Sequence, residues 1–366
     1  MKSLISKGIS VLKHDGVGVF VERTIKYSIV KAKRLTQKKD ETNLEKWKRL
    51  KGKYKGERVF IIGNAPSLNR MPLYLLKNEF TMAFNRFNLM FERLDWKPSF
   101  YTVTDDLVVK DMYKEINTEI LPNVQLAFFP DLHPSNVSFK SYIANSVNVY
   151  WLNTDTSEFR ADLPKCGINK TVVNAGMQIA AYMGFSEIYL IGVDMSFEDQ
   201  KVKKINSRNW EAEEHDPNHF DPRYFDKGRK YHNPTVYEMI ERFEISKKFF
   251  NSLGVNVYNA GIGGKLEVFP RREFISLFNI NSEQIRSLIS KNEFLNQQKL
   301  TLDKLLEEAV LVKEKNEKQL PYIFKTDIDL AQIYISKFIS DYLPFGPYNG
   351  EFFFVRRKAV NNLQLH

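Results

Sequence analysis

Between residues 57 and 280, short apolar runs alternate with stretches of helical spacing, and this rhythm leaves few folds open to the chain. The runs predicted as strands are Arg58–Ile62, Thr81–Phe84, Phe100–Thr104, Val124–Phe129, Val147–Leu152, Glu187–Ile191 and Asn256–Tyr258. Helical patterns cover Val108–Ile116, Val173–Met183 and Val236–Leu253. Strands alternating with helices predict an α/β fold with a mostly parallel sheet covered on both faces. In such sheets ligands bind beyond the carboxyl ends of the strands, so chemistry is sought there.

Five predicted strands end in polar residues. The first runs Val59-Phe60-Ile61-Ile62 into Gly63-Asn64-Ala65-Pro66-Ser67-Leu68. Gly63 permits a tight turn and a close backbone approach. Asn64 offers an amide where a phosphate or ribose would sit, Pro66 fits a first helical turn, and Ser67 adds a hydroxyl beside free N–H groups. No Gly-Lys-Ser/Thr follows and Gly-x-Gly-x-x-Gly is absent, which excludes a P-loop and a dinucleotide fingerprint. An ordinary strand-to-helix turn fits equally well. The second end, Phe84-Asn85-Arg86-Phe87, places an amide and a cation at the rim. The third, Thr104-Asp105-Asp106, suits a metal, a ribose or the cap of the following helix, and capping accounts for at least one carboxylate. The fourth, Thr171-Val172-Val173-Asn174-Ala175-Gly176, opens an Ala-rich helix. The fifth is Gly192-Val193-Asp194.

The segment HDPNHFDPRYFDKGRKYHNP (215–234) holds three of the six histidines, with Arg223, Tyr224, Arg229, Lys230 and Tyr231. Its prolines and aromatics predict an ordered loop or lid. His215 and His219 would share a metal only on one helix, and the Asp-Pro pairs oppose a helix there. A lid histidine suits a general base near neutral pH.

The net charge of +10 is unevenly placed. Residues 1–58 hold 17 Lys+Arg against 6 Asp+Glu, so the arm carries +11 and the remaining 308 residues sum to −1. A neutral body without a nucleic-acid motif argues against nucleic-acid binding. The start lacks an uninterrupted secretory h-region, because Lys7, Lys13, His14 and Asp15 break it. Val17, Phe20, Val21, Ile25, Ser28 and Ile29 follow helical spacing among Arg23, Lys26, Lys31, Lys33 and Arg34. Such a helix suits either an anionic membrane surface, at about 1 kcal/mol per basic residue, or packing on the body. Residues 36–56 read as a charged linker with helical character around Leu44 and Trp47. Cys166 is the single cysteine, which excludes an internal disulfide and fits a reducing compartment. No apolar run reaches the eighteen residues of a membrane span. The expected location is cytoplasmic, peripheral at the inner face of the membrane. In the tail, 281–318 reads as two charged helices, the second with Leu302, Leu305, Leu306 and Val310 on one face, and 327–340 as another. The aromatic run 341–356 suits covering the body, a homo-oligomer contact or an acceptor contact.

Gly63-Asn64-Ala65-Pro66-Ser67-Leu68 followed by Phe84-Asn85-Arg86-Phe87 resembles the opening of the bacterial sialyltransferases of glycosyltransferase family 42. Gly184–Asp194 resembles their central strand, and Tyr231-His232-Asn233-Pro234 their histidine segment. HFDPRYFDKGRKYHNP and Tyr258-Asn259-Ala260-Gly261-Ile262-Gly263-Gly264-Lys265-Leu266-Glu267-Val268-Phe269-Pro270 resemble more closely the 6-hydroxymethylpterin diphosphokinase MptE-like family, related to motility-accessory flagellin glycosyltransferases. The resemblance covers roughly 57–280. It implies a Rossmann-like nucleotide-binding catalytic domain there, between a basic amphipathic arm and linker (1–56) and a helical C-terminal extension (281–366).

In the sialyltransferase reading the resemblance implies a CMP-activated nonulosonic-acid donor and a glycan or glycolipid acceptor. It implies inversion with His232 as general base, and neither metal nor cofactor. Nucleotide contacts would come from Gly63, Asn64, Ser67, Asn85, Asp105, Thr171, Asn174 and Asp194. A tyrosine expected after the Gly-x-Asp strand is replaced by Ser196, which leaves Tyr224, Tyr231, Arg223 and Arg229 as candidates for the leaving phosphate. In the diphosphokinase reading, Asp105, Asp106 or Asp194 would hold Mg²⁺ for ATP and a pterin alcohol. A third reading is an accessory protein that keeps the fold without activity.

Overall fold

The computed structural model describes residues 16–357 apart from 23, 27, 31, 34–40, 207–208, 280, 292–294, 296–301 and 314–319. Its centre is an eight-stranded sheet in which every neighbouring pair is parallel. The strands are β1 (Arg58–Ile62), β2 (Phe80–Phe84), β3 (Phe100–Thr102), β4 (Leu126–Pro130), β5 (Val149–Thr156), β6 (Lys165–Gly167), β7 (Glu187–Ile191) and β11 (Asn256–Asn259). Their order is β11-β7-β1-β2-β3-β4-β5-β6. The chain steps outward from β1 to β6 and returns on the other side of β1, so the order reverses between β1 and β7. The α/β expectation is met, with all seven predicted strands in the sheet and β6 added by the structure.

The two-residue period of a strand explains the layers. Val59 and Ile61 of β1 enter one apolar cluster, while Phe60 and Ile62 enter the cluster on the opposite face. The first face is covered by α1 (Glu41–Leu50), α3 (Val172–Met183) and α4 (Val236–Ser252), and α2 (Asp106–Glu115) packs on the other through Val108, Val109 and Met112. The helical character foreseen around Leu44 and Trp47 is α1. Trp47 is buried against Phe128, Tyr150 and Tyr182 and donates its indole N–H to the Trp151 carbonyl at 3.0 Å. From residue 41 onward this segment is therefore part of the core and not a solvated linker.

Two smaller sheets were not legible beforehand. An antiparallel sheet of β8 (Val202–Lys204), β9 (Asn209–Ala212) and β10 (Lys230–His232) frames the segment 215–234. In the tail, β12 (Val310–Leu311), β13 (Ile323–Asp327), β14 (Tyr342–Tyr348) and β15 (Glu351–Arg356) form a four-stranded sheet. It packs with α5 (Ser282–Ser290), α6 (Leu302–Glu308) and α7 (Ile328–Phe338). The C-terminal extension thus has helices and a sheet, but the second expected helix is cut short: α6 ends at Glu308, and Val310, expected on its apolar face, lies exposed in β12, paired with β13. The aromatic run 341–356 is the sheet's hairpin, with Phe352 and Phe354 on one face and Phe353 and Val355 on the other. Among the described residues no helix is long and apolar enough to cross a membrane.

Candidate functional site

The reversal between β1 and β7 is the usual place for a ligand crevice, but here the protein's own groups close it. A Cβ on Gly63 would lie 2.1 Å from the Gly192 carbonyl oxygen, so the two turns touch backbone to backbone. Ala65 N–H donates to that carbonyl at 3.0 Å. Above it, Ser67 Oγ donates to Asp194 Oδ1 at 2.5 Å and Ser67 N–H to Oδ2 at 3.3 Å. The Asp194 carboxylate occupies the anion position that the turn offers. Burial raises the Asp194 pKa from its ordinary value, against the opposing pull of the Ser67 hydrogen bonds.

One strand away several buried polar atoms are left without partners. Asn64 donates Nδ2–H to the Phe84 carbonyl at 3.3 Å, and its Oδ1 is buried without a partner. Asn85 follows β2 in a left-handed conformation (φ 50°), which asparagine tolerates, and its Oδ1 is likewise unpartnered. A Cβ on Gly176 would meet the Phe84 ring at 2.6 Å, so α3 lies directly on β2. Asn174, half a turn nearer the helix start, is fully buried. Its Nδ2 bonds the Asn169 carbonyl, and the Oδ1 atoms of both Asn174 and Asn169 lack partners. Thr171 caps α3 by accepting from Val173 N–H.

Asp105 caps α2, its Oδ1 accepting from Leu107 and Val108 N–H at 2.8 and 3.2 Å, which realises the capping role foreseen for one of the pair. His232, on β10, faces this helix start. Its Nε2 lies 3.5 Å from Asp105 Oδ2 and 3.6 Å from Asp106 Oδ1, and is buried without a hydrogen-bond partner. Its Nδ1 sits 2.9 Å from Asn209 Oδ1, on the strand opposite. An Nδ1–H donated to that amide oxygen leaves Nε2 as the basic atom. Asp106 is held well below the usual carboxylate range: burial opposes ionisation, but His232, His133 and Lys110 together outweigh it. Asn209 was missed in the sequence, because only pairing of β9 with β10 brings it to His232.

The 215–234 segment is ordered, as expected, and tied to the first turn. Phe220 N–H donates to the Asn64 carbonyl at 2.9 Å, and Asn69 Nδ2–H to the Phe220 carbonyl at 2.7 Å. His215 and His219 share no helix: His215 pairs with Asp226, and His219 with Asp216 while stacking on Tyr224 at 3.8 Å. Tyr224 is fully buried, and burial pushes its hydroxyl well above the usual range. Tyr231 donates to Gln200 Oε1 at 3.0 Å, and burial pushes its hydroxyl up to about 12. Arg229 and Arg86 both bond Asp111, Arg229 at 2.6 Å. Burial lowers the pKa of Arg86, and the neighbouring Arg229 adds to this. Arg223 joins Asp221 and Glu92. In the later Gly-rich turn, Asn259 bonds the Gly261 N–H and the Leu266 carbonyl, a structural role.

Fold and site together define a doubly wound α/β protein with polar residues gathered at the carboxyl ends of β1 to β3, faced by the ordered segment that bears His232. Residues 33–200 match the family described as 6-hydroxymethylpterin diphosphokinase MptE-like. The matched span ends before the 219–270 motifs that carried this resemblance in the sequence. No curated protein matches the sequence. Among solved structures, the Maf glycosyltransferase of Magnetospirillum magneticum AMB-1 is similar over 66% of this chain, at 14% identity and a TM-score of 0.38, and the match covers 39% of that protein's length. The sialyltransferase CstII of Campylobacter jejuni, solved with the substrate analogue cytidine-5'-monophosphate, is similar over 65% of this chain and 99% of its own (16% identity, TM-score 0.34). CstII with a trisaccharide acceptor and CMP is similar over 64% and 100% (17% identity, TM-score 0.34).

Proposed function

We propose that this chain is an inverting glycosyltransferase. It moves a sugar, a sialic-acid-like nonulosonic acid carried on CMP, to a hydroxyl of a surface-glycan acceptor, with residues 57–280 doing the chemistry. The observation that carries this reading is the set of buried acceptor atoms without partners on one rim: Asn64 Oδ1, Asn85 Oδ1, Asn174 Oδ1 and His232 Nε2. Each costs free energy until a donor arrives, about 1–3 kcal/mol per group. The ligand that completes them is rich in hydroxyl and amino donors, as a nucleotide sugar is.

His232 Nε2 then takes the proton of the acceptor hydroxyl. The acceptor oxygen bonds the anomeric carbon from one face while the carbon–oxygen bond to the phosphate breaks on the other, its electron pair leaving with CMP. The imidazolium so formed faces Asp105 and Asp106, whose carboxylates stabilise it. Asn209 keeps the ring in register. Arg229, half-exposed beside Arg86, is the better candidate for the leaving phosphate, because Tyr224 is shut in the core and the Tyr231 hydroxyl is engaged. Ser67, Asp194 and Thr171 serve the frame.

A second reading has its own observation. Ligand atoms of Asp105, Asp106 and His232 lie within 4.8 Å of one another, and two carboxylates facing an unpartnered imidazole nitrogen fit a divalent cation. With ATP this would support pyrophosphoryl transfer to a pterin alcohol, in keeping with the family description, and His232 would then be a ligand and not a base. Calorimetry with CMP, CDP, UDP, GDP and ATP, each with and without Mg²⁺, separates the two. Metal-independent CMP binding is expected. Mg²⁺-dependent ATP binding would replace the first reading by the second. UDP or GDP binding would keep glycosyl transfer and discard the CMP donor, and no binding would favour an accessory role.

A further inference from the structure

We infer that the N-terminal helix seats the protein on an anionic lipid bilayer, through an apolar face that nothing among the described residues covers. Helical residues lie within 16–33. One side is fixed to the body: Val30 is buried, Val19 and Phe20 are half-buried, and Lys33 Nζ donates to Asn136 Oδ1 at 2.9 Å. The other side carries Val17, Val21, Ile25 and Ile29 at steps of four, with 68%, 46%, 54% and 40% of their surface exposed. Residues four apart share a helix face and drift by about 40° per step, so these four span an arc of about 120°. A helix apolar on two opposite sides has one side for its own protein and one for something else.

Charge chooses the occupant. Residues 1–40 contain ten Lys and Arg against three Asp and Glu, a balance of +7. A second copy would bring +7 against +7 across the same face, which opposes self-association. A bilayer with anionic headgroups offers apolar tails to the stripe and negative charge to its flanks.

The placement also orients the site. Asn136 belongs to the loop after β4, on the carboxyl side of the sheet, and His133 of the same loop has Nδ1 3.6 Å from Asp106 Oδ1. A bilayer under the helix therefore borders the rim that holds Asp105, Asp106 and His232. The docking itself does not depend on the glycosyl-transfer reading.

The test is co-sedimentation of the full chain with vesicles of phosphatidylcholine alone and of phosphatidylcholine with one quarter phosphatidylglycerol, at low salt and at 0.5 M salt. The expected result is pelleting with the anionic vesicles, weakened by salt, and little with the neutral ones. The double variant Val21→Glu, Ile25→Glu should lose at least about tenfold in partitioning, as charges replace half of the stripe. Its unfolding transition and nucleotide binding should stay as in the parent, because both side chains are already exposed. Equal pelleting of the variant would overturn the inference, as would absence of pelleting by the parent. A dimer seen by light scattering and dissolved by the variant would overturn it too, by making the face a contact between copies.

Discussion

Two turns on the same edge of the sheet, one strand apart, both put polar residues after an apolar strand and end in opposite states. At the ends of β1 and β7, Gly63 meets Gly192 and Ser67 meets Asp194, so these groups are answered by the protein itself, and of that turn only Asn64 keeps an open acceptor. At the ends of β2 and β3, Asn85 and His232 present buried atoms with no partner, and Asn64 and Asn174 beside them do the same. On the proposed reading the first turn is frame, apart from Asn64, and the second is space kept for a ligand. A polar residue after a strand is informative only once its hydrogen-bond account has been closed or found open.

Substitutions can break this contrast or sharpen it. The largest expected effect is on chemistry. His232→Ala should lower turnover by roughly 10²–10⁴-fold, or about 3–5 kcal/mol in the barrier, while the denaturation midpoint holds or falls modestly, because Asp106 and Asn209 lose a neighbour. Steady-state rates with the nucleotide found by calorimetry, beside a urea titration, check both halves. An unchanged rate would remove His232 from the mechanism.

On the closed side, Gly63→Ala should cost about 3 kcal/mol of stability, because the new methyl meets a backbone carbonyl held by the Ala65 N–H, and not a flexible side chain. A variant that unfolds at the parent's urea concentration would show that the two turns can part.

A smaller, paired effect tests the assignment directly. Ser67→Ala leaves Asp194 buried with its main donor removed, which should cost about 1–3 kcal/mol of stability and leave nucleotide affinity within a factor of a few. Asn64→Ala should do the reverse: affinity about tenfold weaker, near 1.4 kcal/mol, with little change in stability, since the 3.3 Å bond to Phe84 is the only side-chain bond it loses. If the two outcomes were exchanged, frame and site would change places.

The sheet was legible because apolar runs of the right length have no other use, and each of the seven predicted strands entered it. β6 was not, since Lys165-Cys166-Gly167 is too short to show a period. The tail sheet was hidden because Phe352-Phe353-Phe354 is apolar on both faces and shows no alternation. At the site, the residue types at the strand ends were readable and their pairing was not. Ser67 and Asp194 are separated by 127 positions, and no local pattern announces that one answers the other. Asn209 was unreadable for the same reason. Its value comes from an antiparallel register with His232, 23 residues on.

The segment 215–234 and the tail share one carboxylate, and this yields the smallest prediction. Glu92 accepts from Arg223 of the lid segment at 2.6 Å and from Arg357, just after β15, at 2.8 and 2.9 Å. Its pKa is lowered from the ordinary 4.5: burial opposes this, but Arg357 and Arg223 outweigh it. A carboxyl depressed in the folded state contributes stability that is fully present above its unfolded value and is lost as pH falls through the folded one. Glu92→Gln keeps the shape and removes the charge, so the acid limb of stability against pH should flatten as pH falls below the ordinary 4.5. At neutral pH the variant should be modestly weaker, because Arg223 and Arg357 lose their common partner beside the fully buried Arg93, whose pKa burial lowers to about 10. Thermal unfolding measured from about pH 3 to 7 reads the difference. Two curves offset by a constant would show that Glu92 holds the lid by shape alone, and the tail would then have no electrostatic hold on the segment that carries His232.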